Sequence, residues 1–125
     1  MKPEDKELLL KDLCVRLPYE PVIEYVIKSV FGNAHITCRL DVFHIDDFDS
    51  LVDVKPHLRP MSSMTEEEKV EYCDLQDKFL LSSLYPVTDG YALYDWLNAH
   101  HFDYRGLIEK GLAIEVTKDN NHYKD

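Results

Sequence analysis

The densest group of reactive side chains follows the second strand that the sequence predicts. Asp41, His44, Asp46, Asp47 and Asp49 fall within nine residues. Carboxylate oxygens are the hard ligands that Mg²⁺ and Ca²⁺ prefer in proteins. One hypothesis is therefore a generic metal site in a small metal-dependent enzyme or ligand-binding protein. The alternative interpretation, which we favour, is a solvated turn that ends a hairpin, because aspartates are typical of turns.

Spacing excludes several better defined sites. A calcium loop that begins at Asp47 would need glycine and glutamate where the chain has Val52 and Leu58. The four glycines, at positions 32, 90, 106 and 111, form neither a dinucleotide-binding fingerprint nor a P-loop. Neither Ser62-Ser63 nor any of the three cysteines lies in a nucleophile elbow, although a triad assembled in space stays open.

A second polar group combines His100-His101 with Asp95 and Asp103. A carboxylate can orient an imidazole for metal binding or proton transfer. Neighbouring residues on a helix point about 100° apart, so the two rings do not easily converge on one ion. We therefore favour a helix C-terminal His100 that interacts with the helix dipole and packs on Trp96.

Aromatic residues crowd into the segment from 85 to 104: Tyr85, Tyr91, Tyr94, Trp96, Phe102 and Tyr104. Tyrosine and tryptophan combine apolar area with a polar tip and are enriched at binding surfaces. Core packing explains many of the same residues. Helical spacing does not bury Tyr91, Tyr94, Tyr104 and Trp96 together, so these four are the candidate partner-binding residues.

The charge balance bounds the choice of partner. The 125 residues include 24 acidic and 14 basic side chains, for a net charge of −10. Such a chain repels a phosphate backbone, because nucleic-acid binding depends on Lys and Arg displacing counterions. We expect no direct nucleic-acid binding, and a protein partner or self-association instead.

The cysteines and the apolar runs indicate the compartment. Cys14, Cys38 and Cys73 are odd in number and far apart, so we expect small buried side chains and no structural metal, redox pair or cofactor. The polar N-terminus does not resemble a signal peptide, and no apolar run reaches membrane-spanning length. These observations predict a cytoplasmic protein that does not bind a membrane.

The N-terminal half predicts one helix and a hairpin. Pro3 and the acidic residues after it favour a helix over 3–17, with an apolar stripe that comprises Leu10, Leu13, Cys14 and Leu17. Alternating residues predict strands over about 21–31 and 34–43, joined by a turn at Gly32-Asn33. A short third strand over 51–54 is expected to end before Pro56.

The C-terminal half predicts helices and a last strand. Thr65 and Glu68 have capping-box spacing, so a helix is expected over 66–80. Thr88 and Asp89 open a third helix that ends near His100, and Asp103 opens a fourth that runs to position 110. Gly111 closes that helix in a Schellman motif, residues 112–116 form a strand, and 118–125 form a flexible tail.

These elements predict one α+β domain over residues 1–125. A small antiparallel or mixed sheet, built on the central hairpin, is covered by the N-terminal helix and two or three C-terminal helices.

Two stretches carry a resemblance to other proteins. They are LRPMSSMTEEE, from position 58, and YDWLNAHHFDYRGLIEKGLAIEV, from position 94. They resemble a group of small uncharacterised proteins from gut bacteria and their phages. The resemblance implies a phage or prophage accessory protein and supplies no functional residues. We therefore expect a non-enzymatic protein-binding domain that acts on a host protein.

Overall fold

The computed structural model describes residues 2–82 and 92–123 of the chain. Over these residues it confirms the α+β class, with four helices and a five-stranded mixed sheet. The elements, in chain order, are α1 (Pro3–Arg16), β1 (Val22–Ser29), β2 (Gly32–Arg39), α2 (Val42–Asp46), β3 (Val52–Pro60), α3 (Glu66–Ser82), α4 (Ala92–Ala99), β4 (Phe102–Asp103) and β5 (Ile114–Glu115).

The sheet has the order β2-β1-β3-β4, and β5 also pairs with β3. The expected hairpin is confirmed, because β1 is antiparallel to β2 along its whole length. Its turn is not at Gly32-Asn33, since Ser29 pairs with Gly32 and the turn is Val30-Phe31. The Ser29 hydroxyl closes the turn: it accepts from the Phe31 N–H and donates to the Gly32 carbonyl. Gly32 supplies the positive φ, +121°, just after the turn.

Strand β3 continues through Pro56, so the expectation that it ends at Val54 is wrong. Pro56 is buried and is the last residue of β3 in register with β1, opposite Ile23. The next residues pair instead with β5 and β4, both parallel to β3. Proline is tolerated there because it lies where β3 changes partners, and its missing N–H interrupts no continuous ladder.

The apolar core has two parts. The larger part packs α1 against the sheet and comprises Leu9, Leu13, Ile23, Tyr25, Leu40, Phe48, Val54, Leu58, Leu107, Leu112 and Ala113. The smaller part lies between α3, α4 and β4 and comprises Met64, Leu93, Leu97 and Phe102.

Helix α1 is confirmed, but its buried face differs from the expected apolar stripe. Asp12 and Arg16 are fully buried, whereas Cys14 is exposed. The Arg16 Nε atom lies 2.7 Å from an Asp12 carboxylate oxygen, and another Arg16 nitrogen donates to the Phe102 carbonyl at 2.7 Å. A fully buried ion pair is rare in proteins. The spacing of apolar residues, from which the buried face was predicted, cannot reveal one.

The capping box of α3 is confirmed. The Thr65 N–H donates to a Glu68 carboxylate oxygen at 2.9 Å, and the Glu68 N–H donates to the Thr65 hydroxyl at 3.1 Å. Arg59 of β3 adds a bidentate pair with the same carboxylate, at 2.7 and 2.8 Å. Hydrogen bonds from Arg59 hold the pKa of Glu68 at about 2.

The segment from 103 to 112 forms turns, and the expected fourth helix is absent. The Asp103 carboxylate accepts from the Leu107 N–H at 2.9 Å and from the Ile108 N–H at 3.0 Å. Gly111 has a φ of +74° and donates to the Ile108 carbonyl, while Leu112 donates to the Leu107 carbonyl. The predicted Schellman motif is therefore confirmed. It closes a single turn of chain, and the Asp103 carboxylate accepts hydrogen bonds at the start of that turn.

Tyr123 lies against the sheet. Its hydroxyl donates to the His57 carbonyl at 2.7 Å and accepts from the Val22 N–H at 2.8 Å. Burial raises its pKa to about 12. The interpretation of 118–125 as a flexible tail did not anticipate these contacts, and positions 124 and 125 lie outside the described residues.

Helix α4 is confirmed from Ala92 to Ala99. Its expected N-terminal residues, Thr88 and Asp89, lie outside the described residues. No helix in the described ranges has the length and apolarity required to cross a membrane.

Candidate functional site

The aspartate-rich loop folds into the short helix α2. Asp41 is its N-cap and forms a capping box with His44, whose side chain turns inward and is buried. The remaining aspartates, Asp46, Asp47 and Asp49, stay exposed. Within residues 2–82 and 92–123, no three histidine, cysteine or acidic side chains are grouped as metal ligands.

The structure brings one cysteine beside a histidine that the sequence could not pair with it. The His44 Nε2 atom lies 3.5 Å from the Cys38 sulfur. The backbone N–H of Asp41 donates to His44 Nδ1 at 2.9 Å, and burial lowers the His44 pKa. The neutral ring therefore carries its proton on Nε2, facing the sulfur. In this state, His44 cannot act as the base for a Cys38 nucleophile.

The other two cysteines are not the buried side chains that we expected. Cys14 and Cys73 are exposed free thiols, and Cys38 is half-buried. Helix position explains the error, because Cys14 lies outside the buried face of α1 and Cys73 lies on a wet face of α3.

A buried histidine pairs with a carboxylate between β1 and β3. The His57 Nε2 atom lies 2.6 Å from a Glu24 carboxylate oxygen. The side chain of His57 is almost fully buried, whereas Glu24 is partly exposed. This arrangement joins two strands and leaves the imidazole closed to a substrate.

The histidines at the end of α4 point in different directions. His100 donates from Nδ1 to the Trp96 carbonyl at 2.9 Å, and its ring lies 4.4 Å from the indole, as expected. His101 stacks on Tyr123 instead, with ring centroids 3.7 Å apart. The Asp103 carboxylate accepts hydrogen bonds from backbone amides. The predicted polar group of Asp95, His100, His101 and Asp103 therefore does not form one site.

The structure describes three of the four candidate partner-binding residues, which are Tyr94, Trp96 and Tyr104. Tyr94 is 41% exposed, and its ring lies 5.5 Å from that of Tyr104. The Tyr104 hydroxyl donates to the Asn98 side chain at 2.9 Å. Tyr91 and the neighbouring Tyr85 lie outside the described residues.

Trp96, like Tyr104, packs against the smaller part of the core. Its indole N–H donates to Glu71 at 2.8 Å, and its ring stacks on Tyr72 and Phe102. Trp96 is therefore a half-buried side chain whose N–H and ring already have partners within the chain.

The most exposed apolar residues lie elsewhere, at the tip of the β1–β2 hairpin. Val30 is 94% exposed and Phe31 is 98% exposed. All residues from 27 to 35 are exposed, and we call this segment the hairpin arm. It has no ring contact with the described residues. The sequence prediction missed the tip because Gly32-Asn33, two residues further along the chain, has the composition of a conventional hairpin turn.

The hairpin also differs in charge from the rest of the chain. Positions 25 to 40 contain no aspartate or glutamate, although the chain has 24 acidic residues. Lys28 and Arg39 make this stretch basic, and His35 lies between them. The absence of acidic residues is a signal that the sequence alone carries.

Strand β2 borders the sheet and offers its outer edge. Among the described residues, β2 pairs only with β1. Edge strands are commonly protected by proline, by inward charges or by bulges. The eight residues of β2 contain no proline, and their register with β1 is continuous.

Comparisons of the chain with protein-family models, curated proteins and solved structures found no match. The arm, with its exposed tip and open edge, is the candidate functional site that the geometry brings forward.

Proposed function

We propose that this chain is a protein-binding domain and that its binding element is the hairpin arm together with the β2 edge. The observation that carries the proposal is Phe31, which is 98% exposed at the tip of a regular hairpin. Burial of a phenylalanine side chain in a complex contributes about 1.5–3 kcal/mol. A partner that covers the Phe31 ring therefore gains this free energy on binding.

The turn chemistry supports a role outside folding. Two-residue hairpin turns favour glycine, asparagine or aspartate, which tolerate the required backbone angles. Here Gly32 supplies the positive φ, so Val30 and Phe31 carry no backbone strain, but they place two apolar side chains where polar turn residues are usual, at the most exposed point of the hairpin. Selection for folding alone would not favour this pair, whereas selection for contact with a partner would.

The partner is best described by two features. An unpaired strand adds to the β2 edge through backbone hydrogen bonds, and an apolar pocket beside it receives Phe31. Acidic residues around that pocket match Lys28, the cation of the arm. Two copies paired through β2 would place two basic hairpins side by side, so a different, acidic protein is favoured over self-association.

The biological setting is also proposed. The resemblance described above favours a phage or prophage accessory protein that acts on a host protein. The exposed thiols of Cys14 and Cys73 support a reducing, cytoplasmic environment, since exposed free cysteines are poorly suited to an oxidising one.

Site-specific crosslinking tests the proposal. A photoreactive phenylalanine analogue is placed at position 31, at position 94 and at position 70, in cells that produce the protein. Val70 is 72% exposed on α3 and serves as the matched control. We expect one discrete adduct from position 31, and its mass spectrum should identify a protein with an unpaired strand edge.

Each other result counts against the proposal. An adduct from position 94 alone would assign binding to the aromatic segment, and an adduct with the same chain would indicate self-association. Equal products from positions 31 and 70, or none from position 31, would mean that the arm does not bind.

A further inference from the structure

A cavity of about 1060 Å³ lies at the opposite end of the β1–β2 hairpin from its tip. Its charged and aromatic lining comprises Arg39, Arg59, His100, His101, Lys118 and Tyr123. None of the described residues that line it is acidic, in a chain of net charge −10. We call it the basic cavity.

Two of its three cations lack a carboxylate partner. Arg59 is neutralised by the bidentate pair with Glu68. Among the described residues, Arg39 donates only to the Glu20 carbonyl at 3.1 Å, and its guanidinium lies over the Tyr123 ring at 5.3 Å. Lys118 is exposed and forms no ion pair with the described residues. The cavity therefore presents two uncompensated positive charges.

His101 forms part of the cavity wall in an unusual conformation. Its φ of +62° lies in the left-handed region, which non-glycine residues adopt rarely, and it ends α4. The ring is held by its stack on Tyr123, and its Nδ1 atom is buried without a hydrogen-bond partner among the described residues.

The electrostatic environment of His101 is positive. Burial, followed by the positive charges of Arg16, Arg39, His100 and Arg59, lowers the His101 pKa to about 4. The imidazole is therefore neutral at pH 7. A bound anion would experience the same positive charges as an attraction.

We propose that the basic cavity binds a small molecule that carries a phosphate group, with Arg39 and Lys118 as its charge partners. A phosphate monoester carries about −1.5 to −2 charges at neutral pH, which matches two cations better than a single carboxylate does. The volume is at the upper end of typical small-molecule sites, about 300–1,000 Å³, so it accommodates an organic group as well. This site is independent of the hairpin tip.

Calorimetric titration of the whole chain tests the proposal at constant ionic strength. The probes are inorganic phosphate, ribose 5-phosphate, ribose and succinate. We expect both phosphates to bind, with ribose 5-phosphate the tighter, and ribose to give no heat of binding. Binding of inorganic phosphate as tight as that of ribose 5-phosphate would assign the cavity to the free ion. Succinate binding as tight as that of the phosphates would overturn the phosphate assignment.

Variants localise the site. Arg39→Gln should weaken ribose 5-phosphate binding about tenfold, the effect of losing one charged hydrogen bond. Lys118→Gln should weaken ribose 5-phosphate binding severalfold. Because this substitution removes no described contact, it tests the site even if Arg39→Gln disturbs the fold. Lys110→Gln, an exposed lysine outside the cavity, is the control. Equal affinities in Lys118→Gln and Lys110→Gln would overturn the proposal.

A second readout follows the His101 ring by NMR during a pH titration. Bound phosphate stabilises the imidazolium, so saturation with ribose 5-phosphate should raise the His101 pKa. Chloride at the same ionic strength should not. An unchanged His101 pKa at saturation would place the ligand elsewhere.

Discussion

Phe102 and Phe31 are the same residue type in opposite surroundings. Phe102 is fully buried, with the Arg59 guanidinium 4.2 Å from its ring centroid and Trp96 stacked at 5.6 Å. Phe31 is 98% exposed and has no ring contact with the described residues. The comparison shows that aromatic content by itself does not indicate a binding surface. What matters is whether the fold provides each ring with partners.

The region around Phe102 provides such partners for its neighbouring aromatic side chains. The Trp96 N–H is paired with Glu71, and the Tyr104 hydroxyl is paired with Asn98. Tyr94 remains the most exposed of the described candidate residues from this segment. The hairpin arm receives no comparable contacts, so its apolar tip is the clearer sign of function.

The largest expected effect on the free energy of unfolding is at Phe102, the buried phenylalanine. Phe102→Ala should lower the free energy of unfolding by about 4 kcal/mol, because it opens a cavity and removes the platform beneath Arg59. Urea unfolding followed by circular dichroism measures it. A loss below about 1 kcal/mol would mean that this second part of the core contributes little.

The next test concerns the charged layer over Phe102. Glu68→Gln should lower the free energy of unfolding by about 2 kcal/mol at pH 7, since it removes charged hydrogen bonds to Arg59. The pKa of Glu68 is about 2 in the folded chain and ordinarily 4.5. Its stabilisation is therefore complete above pH 4.5 and is lost as the pH falls toward 2.

The pH dependence distinguishes this interaction from a general effect of charge. Unfolding free energies of the parent and the Glu68→Gln chain should differ most at neutral pH and converge in acid. Glu67→Gln, at an exposed neighbouring position, should change little at any pH. A difference between parent and Glu68→Gln that stays constant from pH 7 to pH 3 would contradict the assignment.

Local signals predicted much of the buried region from the sequence. The Thr65 and Glu68 spacing located the start of α3, and Gly111 with Leu112 located a Schellman closure, because each depends on residues a few positions apart. The hairpin and the final strand were also predicted. Each of these features is determined by neighbouring residues.

Features that depend on distant partners were not predicted. Pro56 lies within β3 because β3 pairs first with β1 and then with β4 and β5. Asp12 is buried because it pairs with Arg16, which in turn donates to the Phe102 carbonyl. The basic cavity assembles Arg39 and Lys118 from positions far apart in the sequence. The exposed tip escaped notice for a different reason, since a turn shifted by two residues changes which side chains it presents.

The backbone at Gly111 offers a smaller test. Gly111→Ala should lower the free energy of unfolding by about 1 kcal/mol, because a Cβ is disfavoured at its φ of +74°. Apart from the two adjacent residues, no described residue has an atom within 4 Å of the added methyl position, so the effect is one of backbone conformation. Gly111→Asn should cost less, since asparagine tolerates this conformation. Equal losses for the two variants would point to another cause.

The smallest expected effect on stability is at Phe31, the exposed member of the comparison. Phe31→Ala should change the free energy of unfolding by less than about 0.5 kcal/mol, because the ring is solvated in the folded and unfolded chain alike. The same variant should weaken binding to the partner identified by crosslinking by about 2 kcal/mol or more, as expected for a central aromatic anchor. Unfolding in urea and calorimetric titration measure the two quantities on one sample. If the variant instead lost about 4 kcal/mol of stability, as expected for Phe102→Ala, Phe31 would be part of the core and the two phenylalanines would not differ in role.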